Sequence, residues 1–184
     1  MADATGNNTY RVRAGRIIDH VIEWAAHNRW RIPEHFKSDW SLDLECNADK
    51  KDDQFKPYGA TPGHGIEWAR LIVQWALSSF ANRDGARPYI DAAEHLFARA
   101  VDDAWNADGA EGLVYTTDWN GTPVVTDRMH WTAAESLNTA ATLHAATGEA
   151  RYANWYATFA RYVDEHVIDH EGGSCSTSLT ATIA

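Results

Sequence analysis

The sequence predicts an all-α fold in which helix pairs follow one another as an arc of an (α/α) toroid, with short β ribbons in the loops. Three observations lead to this fold class. An apolar face with helical spacing recurs three times in the sequence. Each copy begins at a tyrosine that has a glycine four residues before it. Further helical stretches separate the copies. The three glycine–tyrosine pairs are Gly6 and Tyr10, Gly85 and Tyr89, and Gly148 and Tyr152.

The repeated helices are predicted from the spacing of their apolar residues. Side chains three and four residues apart share one helix face, so the first copy predicts a helix that runs to about Ala26. The repeated apolar positions are Tyr10, Ala14, Ile17, Ile18, Val21 and Ile22; Tyr89, Ala93, Leu96, Phe97, Ala100 and Val101; and Tyr152, Tyr156, Phe159, Ala160 and Val163. Two more helices are predicted over 64–80 and 131–146, because each stretch follows a turn or capping signal.

The loops repeat as well. The motif aromatic-x-x-Asp-Trp occurs at 36–40 and again at 115–119, where Asn120-Gly121 follows as a typical hairpin turn. Long loops that recur at the same end of each helix pair usually build the binding face. Three pairs do not close a ring, and each pair buries its apolar face only against a neighbour. We therefore expect about half a ring, with an apolar edge that favours a homo-oligomer.

Composition and charge exclude several classes of protein. With 45% hydrophobic and 23% charged residues over 184 positions, the chain is globular rather than disordered. Its net charge of −10 argues against nucleic acid or an anionic membrane as a partner. No run of about 18 apolar residues predicts a membrane span, and 1–8 lacks the features of a secretory signal. Cys46 and Cys175 form no metal spacing or disulfide framework, so we expect a cytoplasmic protein.

The nine tryptophans are unusual for this length. Indole rings line carbohydrate sites because the apolar face stacks on a sugar while the N–H can still donate a hydrogen bond. For any single tryptophan, the alternative of filling a gap between helices is the more common one. Tryptophan content alone therefore indicates a sugar site without locating it.

His64 and Glu67 are the candidate catalytic residues. Pro62 and Gly63 break the chain, so His64 falls in the first turn of a helix and Glu67 follows on the same face. Histidine moves protons near neutral pH; a helix N-terminus lowers its pKa, while a neighbouring carboxylate raises it. The alternative is that Glu67 caps the helix and His64 binds solvent or backbone. A metal site would need two more convergent ligands that the sequence does not show.

Trp131 takes the corresponding first-turn position of the later helix and Glu135 lies one turn further on; these two are the candidate substrate-binding residues. Repeat symmetry points them toward the same interior as His64 and Glu67, which would surround one cavity with a base, carboxylates and a stacking surface. Glu135 could equally be a buried residue paired with an arginine.

Several motifs in order resemble the N-acylglucosamine 2-epimerase superfamily. The segment 57–71, Pro-Tyr-Gly-Ala-Thr-Pro-Gly-His-Gly-Ile-Glu-Trp-Ala-Arg-Leu, is similar to the hallmark of that family, and 108–115, 118–119 and 131–135 resemble it further on. The combination is most similar to the mannose isomerase and sulfoquinovose isomerase branch. The resemblance runs from Ala4 to Ser174, almost the whole chain.

The resemblance implies an (α/α)6 barrel that isomerises or epimerises sugars without a metal or nucleotide coenzyme. It implies that His64 moves a proton between C2 and C1 of an open-chain monosaccharide through a cis-enediol. Glu67 would hold or polarise His64 and contact sugar hydroxyls, and Trp131 would wall the site. The alternatives are a C2 epimerase of the N-acylglucosamine or cellobiose type, a glycosidase using Glu67, Glu135 and Asp118, and a toroid that only binds sugars.

The chain departs from the family pattern in two respects. Family members are about twice as long, and the parts expected to hold an Arg and a His before Met1 and a later catalytic His are missing, so we expect little activity. Where the family often has an arginine before Pro57, this chain has Gln54 and Lys56.

The segment 175–184 does not continue the family pattern. In one choice of GC-rich codons, a single restored G turns it into Trp-Gln-His-Glu-Leu-Asp-Arg-Asp-Asn-Arg, a plausible family continuation. We therefore expect an (α/α)-barrel domain over 1–174 and a frame-shifted, unstructured tail over 175–184.

Overall fold

The computed structural model describes residues 1–53 and 55–179. The helices are α1 Ala2–Thr5, α2 Thr9–His27, α3 Pro62–Ser79, α4 Arg83–Ala104, α5 His130–Thr147 and α6 Ala150–Tyr162, followed by a π-helical turn, Val163–Val167. The strands are β1 Thr116–Thr117, β2 Pro123–Val125, β3 Arg128–Met129, β4 Ile168–Asp169, β5 Ser174–Cys175 and β6 Ser178–Leu179. The predicted all-α class with short β ribbons is confirmed, and the helix ends differ from prediction by two residues at most for α3 and α5.

The helices pack in pairs along the chain. α3 lies against α4 and α5, α5 packs on α6, and α2 covers part of α3. Their apolar faces form one main core, whose largest fully buried side chains include Tyr152, Phe159, Ile66, Leu96 and Leu143. None of the helices in the described ranges is long and apolar enough to cross a membrane.

The three repeated glycines do not share one role. Gly6 and Gly148 adopt left-handed φ angles of 69° and 76° and end the preceding helix, where a side chain would be strained. Gly85 lies inside the first turn of α4, where its N–H donates to the Asn82 side chain at 3.0 Å. The connection before α4 is extended at Phe80, so no left-handed residue is needed there.

Two short ribbons form in the loops between the helices. β1 and β2 make the predicted hairpin, and the Asp118 carboxylate accepts the N–H groups of Asn120 and Thr122 to fix its turn. The ribbon at 36–42 is a single antiparallel bridge between Phe36 and Leu42. A further bridge joins Ala60 to Thr117, which ties the segment before α3 to the hairpin.

The segment after Ser174 carries two of the strands. β5 pairs with β4, and β6 pairs with β3 directly before α5. The expectation of an unstructured tail is therefore not met over 175–179, because the backbone finds strand partners there; 180–184 lie outside the described residues. The domain boundary at 174 and the altered reading frame stay predictions.

α3 and α5 approach each other closely at their first turns. A Cβ placed on Gly63 would lie 2.6 Å from Thr132 Cγ2 and 2.7 Å from Trp131 Cη2, so only glycine allows this spacing. One turn further along, the Thr139 hydroxyl donates to the Ile66 carbonyl at 2.9 Å.

Replacing Gly63 tests this close approach. We expect Gly63→Ala to lower the free energy of unfolding by about 1–3 kcal/mol, because the added methyl must displace Trp131 or Thr132. Gly65→Ala is the matched control, since its nearest neighbour would be Ala100 Cβ at 3.4 Å. Urea unfolding of both variants checks this, and equal stability of the two would contradict it.

Candidate active site

His64 lies in the first turn of α3, as the sequence predicts. Thr61 is the extended N-cap residue, and Pro62 takes the first helical position, where its fixed φ suits the helix. Thr61 and Pro62 are buried, which fixes the direction in which α3 begins. The imidazole itself is only partly covered, with 39% of its side chain exposed.

Glu34 is the direct partner of His64. Its Oε1 atom lies 2.8 Å from His64 Nδ1 and also accepts the Thr61 N–H at 3.2 Å. The carboxylate is 17% exposed and therefore well shielded from water. In the neutral imidazole, a proton on Nδ1 donates to this carboxylate and leaves the lone pair on Nε2. The arrangement therefore prepares Nε2 to accept a proton.

Burial and two carboxylates determine the pKa of His64. Burial lowers it, but the hydrogen bond and charge of Glu34, with the charge of Glu67, outweigh burial and raise the pKa above its ordinary value. Glu67 itself is half-buried and makes no hydrogen bond to the residues of 1–53 and 55–179. Its carboxylate oxygens therefore remain available for another hydrogen-bond donor.

Trp131 lies beside His64 at the start of α5. The two ring centroids are 5.2 Å apart with planes tilted by 33°. Tyr115, directly before β1, meets Trp131 edge-on at 6.4 Å. Burial, and then the charge of Glu34, raises the pKa of Tyr115. The structure thus brings an imidazole, an indole and a phenol to one place, while their roles stay predictions.

Glu135 is engaged by Arg70. The arginine donates from Nε and Nη2 to the two carboxylate oxygens at 2.8 and 3.0 Å, across the α3–α5 contact. Such a bidentate pair positions both side chains. The structure therefore favours the interpretation of Glu135 as a residue paired with an arginine, and its predicted contact with substrate stays untested.

An open cleft of about 410 Å³ extends from His64 along α2 and α3. Apart from Glu34 and His64, its lining is apolar and includes Trp24, Phe36 and Trp68. No lysine or arginine of the described segments lines it, so protonated His64 is the one side chain of this lining that can carry a positive charge. Other tryptophans, such as Trp105, pack against aromatic neighbours, as the gap-filling alternative predicts.

One group of metal-ligand type lies elsewhere in the described chain. Glu111, Glu165 and His166 could offer three ligand atoms, but Arg161 already pairs with both carboxylates. Neither His64 nor Glu67 belongs to this group.

Sequence reasoning missed Glu34 and Tyr115 as members of the site. Glu34 precedes His64 by thirty residues in an irregular segment, and no periodic pattern marks it. Tyr115 belongs to the repeated aromatic-x-x-Asp-Trp motif, which could have singled it out.

Comparisons with known proteins agree with this architecture. The family model of N-acylglucosamine 2-epimerase (GlcNAc 2-epimerase) matches residues 1–182. D-mannose isomerase from Thermobifida fusca is 42% identical over 99% of this chain and 44% of its own length, and that from Pseudomonas cannabina pv. alisalensis is 41% identical over 95% and 42%. The chain thus spans less than half the length of these relatives.

Solved structures show the same fold. A crystal structure of D-mannose isomerase superposes with a TM-score of 0.89 and 30% identity, over 97% of this chain and 44% of that one. A cellobiose 2-epimerase from Spirochaeta thermophila gives a TM-score of 0.70 at 20% identity, over 97% and 40%, which shows the fold alone. The helix pairs in the described residues of this chain match part of an α/α barrel. The chain belongs to the N-acylglucosamine 2-epimerase family.

Proposed function

We propose that the protein is an aldose–ketose isomerase for sugars of the mannose and fructose type, with His64 as an acid/base residue. The observation that carries this proposal is the hydrogen bond from His64 Nδ1 to Glu34, which leaves Nε2 as the proton acceptor beside Trp131. The D-mannose isomerases at 41–42% identity support the substrate class.

The reaction needs a proton to move between neighbouring carbons. In this mechanism Nε2 of His64 takes the proton from C2 of the open-chain aldose, and the C–H electron pair forms the C1=C2 bond of a cis-enediol as O1 gains a proton. Return of the carbon-bound proton to C1 and loss of the O2 proton give the ketose. Glu67 accepts hydrogen bonds from sugar hydroxyls, and Trp131 provides the stacking surface.

We also propose where the protein is located in the cell and which partner it does not bind. A reducing cytoplasm fits Cys46 and Cys175, which are both free thiols in the structure. The net charge of −10 makes nucleic acid an unfavourable partner.

The product formed from D-mannose distinguishes isomerase from epimerase. Because the chain spans less than half the length of its relatives, we expect slow turnover with D-fructose as its product, and in D₂O we expect deuterium at the carbon that receives the proton, both followed by NMR. His64→Asn should abolish turnover, with a loss of at least about a hundredfold for an acid/base residue. Accumulation of D-glucose, the aldose inverted at C2, would instead identify an epimerase.

Removal of the Glu34 carboxylate should lower the pKa of His64. Since a proton acceptor must be neutral, the acidic limb of the pH–rate profile should move to lower pH in Glu34→Gln. Glu67→Gln is the matched control and should give a smaller shift in the same direction, because Glu67 contributes only through its charge. NMR titration of the His64 ring measures the pKa without turnover; an unchanged or raised value in Glu34→Gln would contradict this pairing.

We further propose that the chain self-associates through the open edge of α2 and α3. Ile17 is 55% exposed and Leu71 36% exposed, and both line a second apolar cleft on this edge. Light scattering should show a mass that rises with concentration, and Ile17→Glu with Leu71→Glu should shift it toward the monomer. Phe55→Glu, at an 85% exposed loop position, should not. A monomer at every concentration would rule out this association.

A further inference from the structure

Tyr115 holds a polar group in the site that the isomerase mechanism above does not use. Its backbone N–H donates to the Val125 carbonyl at 3.0 Å, so the β1–β2 hairpin fixes the start of its side chain. Its ring meets Trp131 edge-on with an interplanar angle of 89°. The hairpin thus fixes the backbone of Tyr115, and the Trp131 indole packs against its ring.

The Tyr115 hydroxyl has no hydrogen-bond partner within 1–53 and 55–179, although the side chain is half-buried. Because this hydroxyl is not taken up by a neighbour in the described ranges, it can donate to a ligand beside Trp131. Burial, and then the charge of Glu34, raises the pKa of Tyr115, so the hydroxyl keeps its proton and acts as a donor.

Tyr115 and His64 both contact the Trp131 indole. His64 lies 5.2 Å from the indole centroid and Tyr115 lies 6.4 Å from it. A sugar stacked on this indole presents hydroxyl oxygens around its rim, within reach of groups that neighbour the ring. We propose that Tyr115 is a specificity-determining residue whose hydroxyl donates a hydrogen bond to one hydroxyl oxygen of the sugar that lies against Trp131.

This inference rests on the proposed function for its ligand class, a neutral aldose, but it concerns binding rather than proton transfer. If Tyr115 served only to pack against Trp131, its replacement by phenylalanine would leave the affinity for the sugar unchanged. If its hydroxyl contacts the sugar, the same replacement removes one donor and leaves the ring in place.

The test is isothermal titration of the full chain with D-mannose. Loss of one neutral hydrogen bond should weaken binding about two- to tenfold in Tyr115→Phe. Tyr156→Phe is the matched control, because that tyrosine is 46% exposed on α6, and it should bind as the parent does. Circular dichroism verifies that both variants fold.

Deoxy analogues of mannose identify the contacted hydroxyl. The analogue that lacks it should bind the parent chain and Tyr115→Phe equally, while the other analogues keep the difference. Unchanged affinity of Tyr115→Phe for D-mannose, an equal loss for every analogue, or no measurable binding by the parent chain would each overturn the inference.

Failure of the proposed function has a separate signature. Binding that depends on Tyr115, together with D-glucose as the product in place of ketose, would reject the isomerase and retain this contact. Ketose formation with an unchanged KM in Tyr115→Phe would reject the contact alone.

Discussion

The close approach of α3 and α5 at Gly63 determines the geometry of the site. Because Gly63 has no side chain, Trp131 and Thr132 can occupy the space directly beside it. Trp131 then lies against His64, which is the residue after Gly63 on α3. The Arg70–Glu135 pair continues the same contact two turns down. The catalytic candidates are therefore arranged by helix packing, and a small change in interhelical distance would separate the imidazole from the indole.

The loop that supplies Glu34 is held by a buried ion pair. Arg31 donates from Nε and Nη2 to the carboxylate of Asp103 on α4 at 2.7 and 2.9 Å, with both side chains less than a tenth exposed. A buried pair adds little net stability over apolar residues, whereas losing one partner costs about 3–5 kcal/mol. Its value here is positional, because Arg31 fixes the segment that leads to Glu34 three residues later. An irregular loop thereby gains the rigidity needed to hold a hydrogen bond to His64.

The helices and the position of His64 could be predicted because both depend on local patterns. Apolar spacing determines which face of α2, α4 or α6 is buried, and Pro62-Gly63 marks the start of α3. Glu34 could not be predicted, since its contact with His64 depends on the path of a thirty-residue connection with no regular period. The Arg70 partner of Glu135 also needed the structure, because the two residues meet across an interhelical contact, while the contact of Glu135 with substrate stays a prediction.

His64 combines two requirements that oppose each other. A strong proton acceptor needs a raised pKa, but a raised pKa keeps the imidazole protonated over more of the pH range. Burial moves the pKa down, while Glu34 and Glu67 move it up, so the net rise is the difference between these effects. Glu34 Oε1 also accepts the Thr61 N–H, which spreads its negative charge over two donors. Glu34 thus both anchors the start of α3 at Thr61 and holds His64 through Nδ1, so one carboxylate fixes the position of the imidazole and raises its pKa.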